Sequence, residues 1–125
     1  MSILITGGAG FIGSKIVKRL LSENEKELIV VDDLSSGSIN NLKECINNID
    51  FIEGNILDQV LMNSVMQGID TVFHLAAKIN VEESINDPLI TNNVNLNGTL
   101  SLLDLAKKSR VRRFILSSSA AIYGN

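Results

Sequence analysis

The sequence contains a single cysteine, Cys45, among its 125 residues. One cysteine cannot form an internal disulfide, so nothing in the sequence indicates folding in an oxidising compartment. No histidine or second cysteine lies near Cys45, and such isolation does not match a metal site or a catalytic Cys–His pair. We therefore expect a structural role for Cys45 and no metal site in the chain.

Long hydrophobic runs and an excess of positive charge are also missing. No apolar segment approaches the length that spans a membrane, and the first strand signal begins too close to Met1 for a signal peptide. The formal net charge of −3 argues against a nucleic-acid surface. With 45% hydrophobic and 20% charged residues, the composition predicts one globular domain over residues 1–125, located in the cytoplasm.

The N-terminal stretch carries the pattern of a ligand site. Its sequence is Ile3-Leu4-Ile5-Thr6-Gly7-Gly8-Ala9-Gly10-Phe11-Ile12-Gly13. Its apolar run predicts a strand that is covered on both faces of a parallel sheet. Gly7 permits a sharp exit from the strand, Gly10 lets the backbone approach an anion, and Gly13 lets the next helix pack tightly on the sheet. The N–H groups of that helix start can then bind a diphosphate.

An ordinary strand-to-helix turn is the alternative interpretation of this glycine pattern. The dinucleotide interpretation is favoured because a helical pattern follows, and then a second apolar run, residues 28–31, which ends in Asp32. Asp32 lies about 20 positions after Gly13, where dinucleotide-binding folds place the carboxylate that binds the adenine ribose.

Strand and helix signals alternate along the chain. Apolar runs predict five strands, at residues 3–6, 28–31, 51–54, 71–77 and 113–117. Helices are predicted at residues 11–23, 40–48, between Asp58 and Gly68, and from Pro88 to Lys108, with a polar connection over residues 24–27. Asp58 and Asp87 are the predicted helix caps, and the basic cluster 107–113 is predicted at a helix end. This alternation predicts an α/β fold, a Rossmann-type doubly wound parallel sheet of about five strands.

Four motifs in this order resemble the extended short-chain dehydrogenase/reductase family. They are the glycine turn, Asp32, the strand end His74-Leu75-Ala76-Ala77 and the segment Ser117-Ser118-Ser119-Ala120-Ala121-Ile122-Tyr123-Gly124. The resemblance is greatest to the branch of NAD-dependent nucleotide-sugar epimerases and dehydratases. It covers the whole chain, but only the N-terminal part of such an enzyme. It implies NAD as cofactor and, in the full enzyme, a nucleotide-sugar substrate.

The resemblance also implies a set of cofactor-binding residues. At the diphosphate these are Gly7, Gly10, Phe11, Ile12 and Gly13, and at the adenine ribose Asp32, Asp33, Ser36 and Gly37. Asn55 and Ile56 correspond to an Asp-Ile pair at the adenine, with the charge lost, and Leu75, Ala76, Ala77, Asn95 and Ser117 are implied in the cleft and near the nicotinamide half. Without the resemblance, Asn95 would be assigned to a solvated helix face. Two carboxylates at the ribose, with no arginine after them, favour NAD over NADP.

Ser119 matches the family's catalytic Ser/Thr, whose hydroxyl binds the reacting sugar oxygen. The alternative is that three serines merely end a strand, but ligands in parallel sheets bind at the carboxyl ends of strands. In the dehydratase branch the next two residues are acidic. Here they are Ala120 and Ala121, so elimination is disfavoured, and epimerisation or simple redox chemistry remains.

His74 and Tyr123 are the only histidine and the only tyrosine. The position of His74 within a strand favours a packed or backbone-bonded residue over a catalytic one. The family's base is the tyrosine of Tyr-x-x-x-Lys, whereas Tyr123 matches an aromatic residue at the strand end, and its partner lysine would fall beyond the last residue. We therefore expect half an active site, from a nucleotide-sugar epimerase, an NAD-dependent reductase or a non-catalytic NAD-binding module.

The resemblance places the later strands and a substrate lobe after residue 125. The fifth strand is then expected to form a sheet edge with exposed apolar surface beside the helix that follows Pro88. We expect another chain or a swapped element to cover this surface, so the chain is predicted to form a homo-oligomer.

Overall fold

In the computed structural model, which describes residues 1–25 and 27–124, five strands form one sheet. They are β1 (Ser2–Thr6), β2 (Glu27–Asp32), β3 (Asp50–Glu53), β4 (Thr71–His74) and β5 (Arg113–Leu116). Their order across the sheet is β3-β2-β1-β4-β5, and all neighbouring pairs are parallel. The predicted Rossmann-type parallel sheet is therefore confirmed. Lys26, in the predicted connection over residues 24–27, lies outside the described residues.

Helices cover the connections between these strands. They are α1 (Phe11–Ser22), α2 (Gln59–Val65), α3 (Val81–Asn86), α4 (Pro88–Asn92) and α5 (Thr99–Lys108). A π-helical segment, Asn93–Gly98, joins α4 to α5, so the helix predicted from Pro88 to Lys108 is present but contains six π-helical residues. The sequence interpretation missed α3 altogether.

The helix predicted over residues 40–48 is wrong. The segment instead contains two short 3₁₀ turns, Ile39–Asn41 and Ile46–Asn48. Its four asparagines explain the difference, because asparagine side chains compete for backbone hydrogen bonds and weaken a continuous helix.

The central strand β1 is buried on both faces, as its continuous apolar run predicts. Leu4 belongs to a buried cluster with Val31 and Val72 on one face of the sheet. Ile3 and Ile5 belong to a second cluster on the other face, which also contains Cys45. Alternate residues of a strand point to opposite faces, so a strand between two helical layers needs apolar residues at every position.

The helix boundaries follow from capping residues. Asp58 accepts hydrogen bonds from Val60 N and Leu61 N, each at 3.0 Å, and so caps α2. Asp87 accepts from Ile90 N at 3.1 Å, directly before Pro88 at the start of α4. Gly68, the predicted stop after α2, has a φ of +75°. These assignments confirm the predicted caps.

The sheet ends at β3 on one side and at β5 on the other. On the β5 side, Leu116 is 54% exposed and Leu100 of α5 is 63% exposed, and the nearby Leu96, Leu103 and Ile115 are also exposed. The exposed apolar surface predicted beside the fifth strand is thus present. Lys107 and Lys108 lie in the last turn of α5, as expected for the basic cluster. Within residues 1–25 and 27–124, no helix combines the length and apolarity that a membrane span requires.

Candidate cofactor-binding site

The turn from β1 to α1 depends on glycines that tolerate no side chain. Gly7 has a φ of +71°, and a Cβ placed on it would lie 2.6 Å from Ala76 N at the end of β4. A Cβ on Gly13 would collide with the carbonyl oxygen of Gly7. The turn therefore packs on the chain that follows β4 and folds back on the first turn of α1.

The N-terminus of α1 forms the positive part of this site. Gly10 precedes the helix, no side chain caps it, and its first turn contains no acidic residue. Phe11 and Ile12, predicted contacts of the diphosphate, are 81% and 58% exposed. An uncapped helix start with its dipole unopposed favours an anion, and the two apolar side chains beside it can cover a nucleotide.

Asp32 connects β2 to the glycine turn. Its buried carboxylate accepts hydrogen bonds from Ala9 N at 2.8 Å and from Leu34 N at 2.9 Å, one at each oxygen. Each carboxylate oxygen can accept a second hydrogen bond, so the group retains acceptors for a ligand hydroxyl. Gly37 lies against the same turn, because a Cβ there would be 2.9 Å from the Ala9 carbonyl carbon.

Asp33 and Asn55 meet on the outer side of β2. Asp33 accepts from Ser35 N at 3.0 Å and from Asn55 Nδ2 at 2.9 Å. Burial favours a higher pKa for Asp33, but the hydrogen bonds from Ser35 and Asn55 and the charge of Lys78 together lower that pKa below its ordinary value. A carboxylate with a lowered pKa stays charged at neutral pH.

Of the two residues predicted at the adenine, Asn55 lies on the surface and Ile56 in the core. Asn55 is exposed, and its Oδ1 accepts from Leu57 N at 2.9 Å. The side chain of Ile56 is buried and lies under Gly98, where an added Cβ would be 2.9 Å from Ile56 Cδ1. Ser36 is exposed near Asp33. Any contact of Ile56 with a ligand would therefore involve its backbone.

The end of β4 lies directly beside the glycine turn. Leu75 N donates to the Thr6 carbonyl oxygen at 3.1 Å, and Leu75 and Ala76 are half-buried. Ala77 is exposed at the point where the chain leaves the sheet. The predicted cleft residues Leu75 and Ala76 thus lie beside the turn, and the predicted contact of Ala77 with the cofactor stays a prediction.

Asn95 holds the segment that follows β4. Its Oδ1 accepts from Lys78 N at 2.8 Å, and its Nδ2 donates to the Lys78 carbonyl oxygen at 2.8 Å. Asn95 is exposed, as the solvated-face alternative expects, but both ends of its amide bind backbone. Its predicted contact with the nicotinamide half stays a prediction.

His74 is packed, as predicted, but its partners are side chains rather than backbone groups. The ring is 2% exposed, with Nδ1 2.7 Å from Thr6 Oγ1 and Nε2 2.8 Å from Thr99 Oγ1. The Phe114 ring lies 5.9 Å away between centroids. Burial lowers the pKa of His74 to about 4. The sequence interpretation assigned no role to Thr6 or Thr99.

Ser117 and Ser119 follow β5, at the same carboxyl edge of the sheet as the glycine turn. Ser117 N donates to the His74 carbonyl oxygen at 3.5 Å. The Ser119 carbonyl oxygen accepts from Ile122 N at 3.3 Å. Because β4 separates β5 from β1, the two serines lie on the far side of the cleft from Asp32. The side chains of Ala120 and Ala121 lie outside the described part of the structure.

A family model for the NAD dependent epimerase/dehydratase family matches residues 3–125. Among curated proteins, a putative UDP-glucose 4-epimerase of Methanocaldococcus jannaschii is 36% identical over 124 residues. This match covers 98% of the chain but 39% of that protein.

Solved structures share the fold closely. The UDP-glucose 4-epimerase of Thermotoga maritima, crystallised with UDP-glucose, has a TM-score of 0.89 at 42% identity over 97% of this chain and 38% of that chain. The UDP-glucose 4-epimerase of Stenotrophomonas maltophila, with bound NAD and formylated UDP-arabinopyranose, has a TM-score of 0.91 at 33% identity, over 100% of this chain and 39% of that chain. The chain spans about two fifths of the length of each of these relatives. Because the family match extends over nearly every residue, the chain belongs to the NAD dependent epimerase/dehydratase family.

Proposed function

We propose that this chain is the NAD-binding part of a nucleotide-sugar epimerase that acts at C4 of a UDP-sugar. The observation that carries this proposal is the pairing of an uncapped α1 N-terminus with the Asp32 carboxylate across one glycine turn. A diphosphate next to Gly10 and Phe11 would interact favourably with the helix dipole. A ribose beside the turn would find the remaining acceptors of Asp32.

The residues around this turn fit the group. A Cβ on Gly10 would lie 3.2 Å from the Gly7 carbonyl oxygen, so glycine there leaves room for a close approach from outside. Asp33 adds a second negative charge at the ribose side, and this charge would repel a 2′-phosphate. These features support NAD rather than NADP.

When bound, NAD supplies a hydride acceptor for a sugar carbon and a donor that returns the hydride to its other face. In this proposal the Ser119 hydroxyl binds and orients the sugar hydroxyl that loses its proton. Ala120 and Ala121 supply no acid for protonating a leaving hydroxyl, which disfavours dehydration. The tyrosine and lysine that the family uses for proton removal are not found among residues 1–125 as Tyr-x-x-x-Lys.

NAD binding without turnover is the second candidate function. The reading frame after codon 125 distinguishes the two proposals. A Tyr-x-x-x-Lys motif followed by a further lobe would support the epimerase, and an immediate stop codon would exclude catalysis by this chain alone.

Isothermal titration calorimetry of the chain with NAD and NADP tests the cofactor assignment. We expect tighter binding of NAD, and at least about tenfold weaker binding after Asp32→Ala, because charged hydrogen bonds contribute about 1.5–3 kcal/mol each. Asp104→Ala, which removes an exposed carboxylate paired with Lys108 on α5, is the control and should leave the affinity unchanged. Equal affinities for the two cofactors, or no binding of NAD, would contradict the proposal.

A further inference from the structure

A continuous chain of polar side chains runs behind the candidate site. Thr6 Oγ1 contacts His74 Nδ1 at 2.7 Å, and His74 Nε2 contacts Thr99 Oγ1 at 2.8 Å. The Thr99 hydroxyl also donates to the Asn95 carbonyl oxygen at 2.7 Å. The chain therefore links β1, β4 and the helix that begins after the π-helical segment.

The positions of the hydrogens in this chain follow from counting donors. The Thr99 hydroxyl has one hydrogen, which it gives to Asn95, so it must accept at its contact with His74. His74 Nε2 then carries a proton. In a neutral imidazole the other nitrogen, Nδ1, is an acceptor, and the Thr6 hydroxyl donates to it.

Thr6 connects this arrangement of hydrogens to the backbone of the cleft. With its hydrogen directed to His74, its oxygen accepts from Leu75 N at 3.3 Å and from Ala76 N at 3.4 Å. Each of the five hydrogen bonds of the two threonine hydroxyls thus has one defined donor and one defined acceptor. A second proton on His74 would face the Thr6 oxygen while two backbone N–H groups already point at it.

The surroundings of the ring agree with a neutral imidazole. Burial is the cause of its lowered pKa, and the groups that face it are the two hydroxyls and the Phe114 ring. Among the described residues, no charged side chain contributes to that shift. The neutral form therefore prevails at neutral pH, and it is the form for which the hydrogen positions above were assigned.

We propose that Thr6, His74 and Thr99 form a positioning relay, in which His74 is held as the Nε2–H tautomer. The proton order, meaning the direction in which these three side chains donate their hydrogen bonds, sets the spacing of the cofactor cleft. The relay joins the residue before Gly7, the amides of Leu75 and Ala76, and the Asn95 that holds Lys78. These three segments surround the proposed diphosphate and nicotinamide path. The functional consequence rests on the proposed NAD site, whereas the proton order does not.

The tautomer can be measured directly, because His74 is the only histidine in the chain. Long-range ¹H–¹⁵N correlation spectra of the labelled protein at neutral pH report which ring nitrogen carries the proton. We expect the Nε2–H form. An Nδ1–H form or an imidazolium would overturn the relay.

Thr99→Val tests whether the order positions the cleft, because it removes the hydroxyl and preserves the side-chain shape. We expect loss of the single His74 tautomer, faster hydrogen exchange at the amides of Leu75 and Ala76, and NAD binding weakened by about tenfold. Thr99→Ser keeps the hydroxyl and should restore all three. Thr91→Val is the matched control, since the Thr91 hydroxyl also bonds a carbonyl four residues back, that of Asp87 at 3.2 Å, but lies outside the relay.

The outcomes separate this inference from the proposed function. A Thr99→Val protein with the native tautomer and native exchange would overturn the relay whatever its affinity for NAD. A wild-type chain that binds no NAD would overturn the proposed function, while the tautomer and the exchange at Leu75 and Ala76 would still decide the relay. Should Thr99→Val fail to fold, the wild-type spectrum and the Thr99→Ser protein still decide it.

Discussion

Single residues at this site have two tasks, one in the fold and one toward a ligand. Asp32 shows this most clearly, because its carboxylate already accepts from Ala9 N and Leu34 N before any ribose is bound. A carboxylate held by two backbone donors is oriented in advance, so little conformational entropy is lost when a hydroxyl binds to it. The same bonds mean that substitution of Asp32 affects the glycine turn as well as the ligand contact.

At the residue scale, His74 predicts a pH dependence of stability. Its pKa is lowered to about 4 in the folded state from 6.5 in the unfolded state. The unfolded chain therefore binds the proton first, and the stability that is fully present above about pH 6.5 is lost as the pH falls towards 4. The expected loss in the free energy of unfolding is about 3 kcal/mol.

Urea denaturation at a series of pH values measures this loss. Asp33 and Glu44 have pKa values below their ordinary values of 3.8 and 4.5. Their contributions to stability are therefore lost at a lower pH than most of the range over which His74 takes up its proton. His74→Gln is the control that cannot titrate, and its stability should vary less between pH 6.5 and 4. An identical slope in both proteins would contradict the assignment to His74.

At the scale of elements, the helix that begins at Pro88 departs most from a simple pattern. Its π-helical segment, Asn93–Gly98, contains Asn95, which binds the backbone of Lys78, and directly precedes Thr99, which contacts His74. Gly98 is packed against Ile56, so a side chain there would require the end of the Ile56 side chain to shift. A π-helical segment of this kind often marks a functional position, and here it lies where the helix approaches the carboxyl end of the sheet.

The capping of α2 gives a prediction for a single element. Asp58→Ala removes the acceptor for Val60 N and Leu61 N and should lower the free energy of unfolding by about 1 kcal/mol. Asp104→Ala breaks only an exposed ion pair with Lys108 and should cost less than about 0.5 kcal/mol. Chemical denaturation of both variants measures the difference, and equal effects would show that the cap contributes nothing beyond surface charge.

At the scale of the whole molecule, the sheet is asymmetric. Its centre at β1 is covered on both faces, while β5 forms an edge with apolar side chains exposed beside α5. An edge strand offers unpaired backbone groups, and an adjoining apolar surface adds a driving force for association. These are the two features from which the sequence predicted that another chain or a swapped element covers this surface.

Sedimentation velocity tests this association. We expect the chain to form a dimer or larger species, and Leu100→Lys, on the exposed face of α5, to shift it toward monomer without loss of folding. Val60→Lys, at an exposed apolar position on α2, is the control and should not change the distribution. A monodisperse wild-type monomer would contradict the predicted homo-oligomer.

The glycine turn, the five strands and the main caps were predictable from sequence because each depends on local physical chemistry. Gly7 needs a positive φ, Asp58 needs only the amides of the next turn, and the apolar run of β1 reflects burial on both faces. The π-helical segment escaped prediction because it has no strong local signal, whereas residues 40–48 were wrongly predicted as a helix although their asparagines weaken one. The relay escaped it for a different reason. Thr6 and His74 are 68 residues apart and meet because β1 and β4 are neighbours in one register, and Thr99 reaches them because the helix lies over that pair. Such contacts depend on strand order and helix placement, which are properties of the packed molecule and not of spacing along the chain.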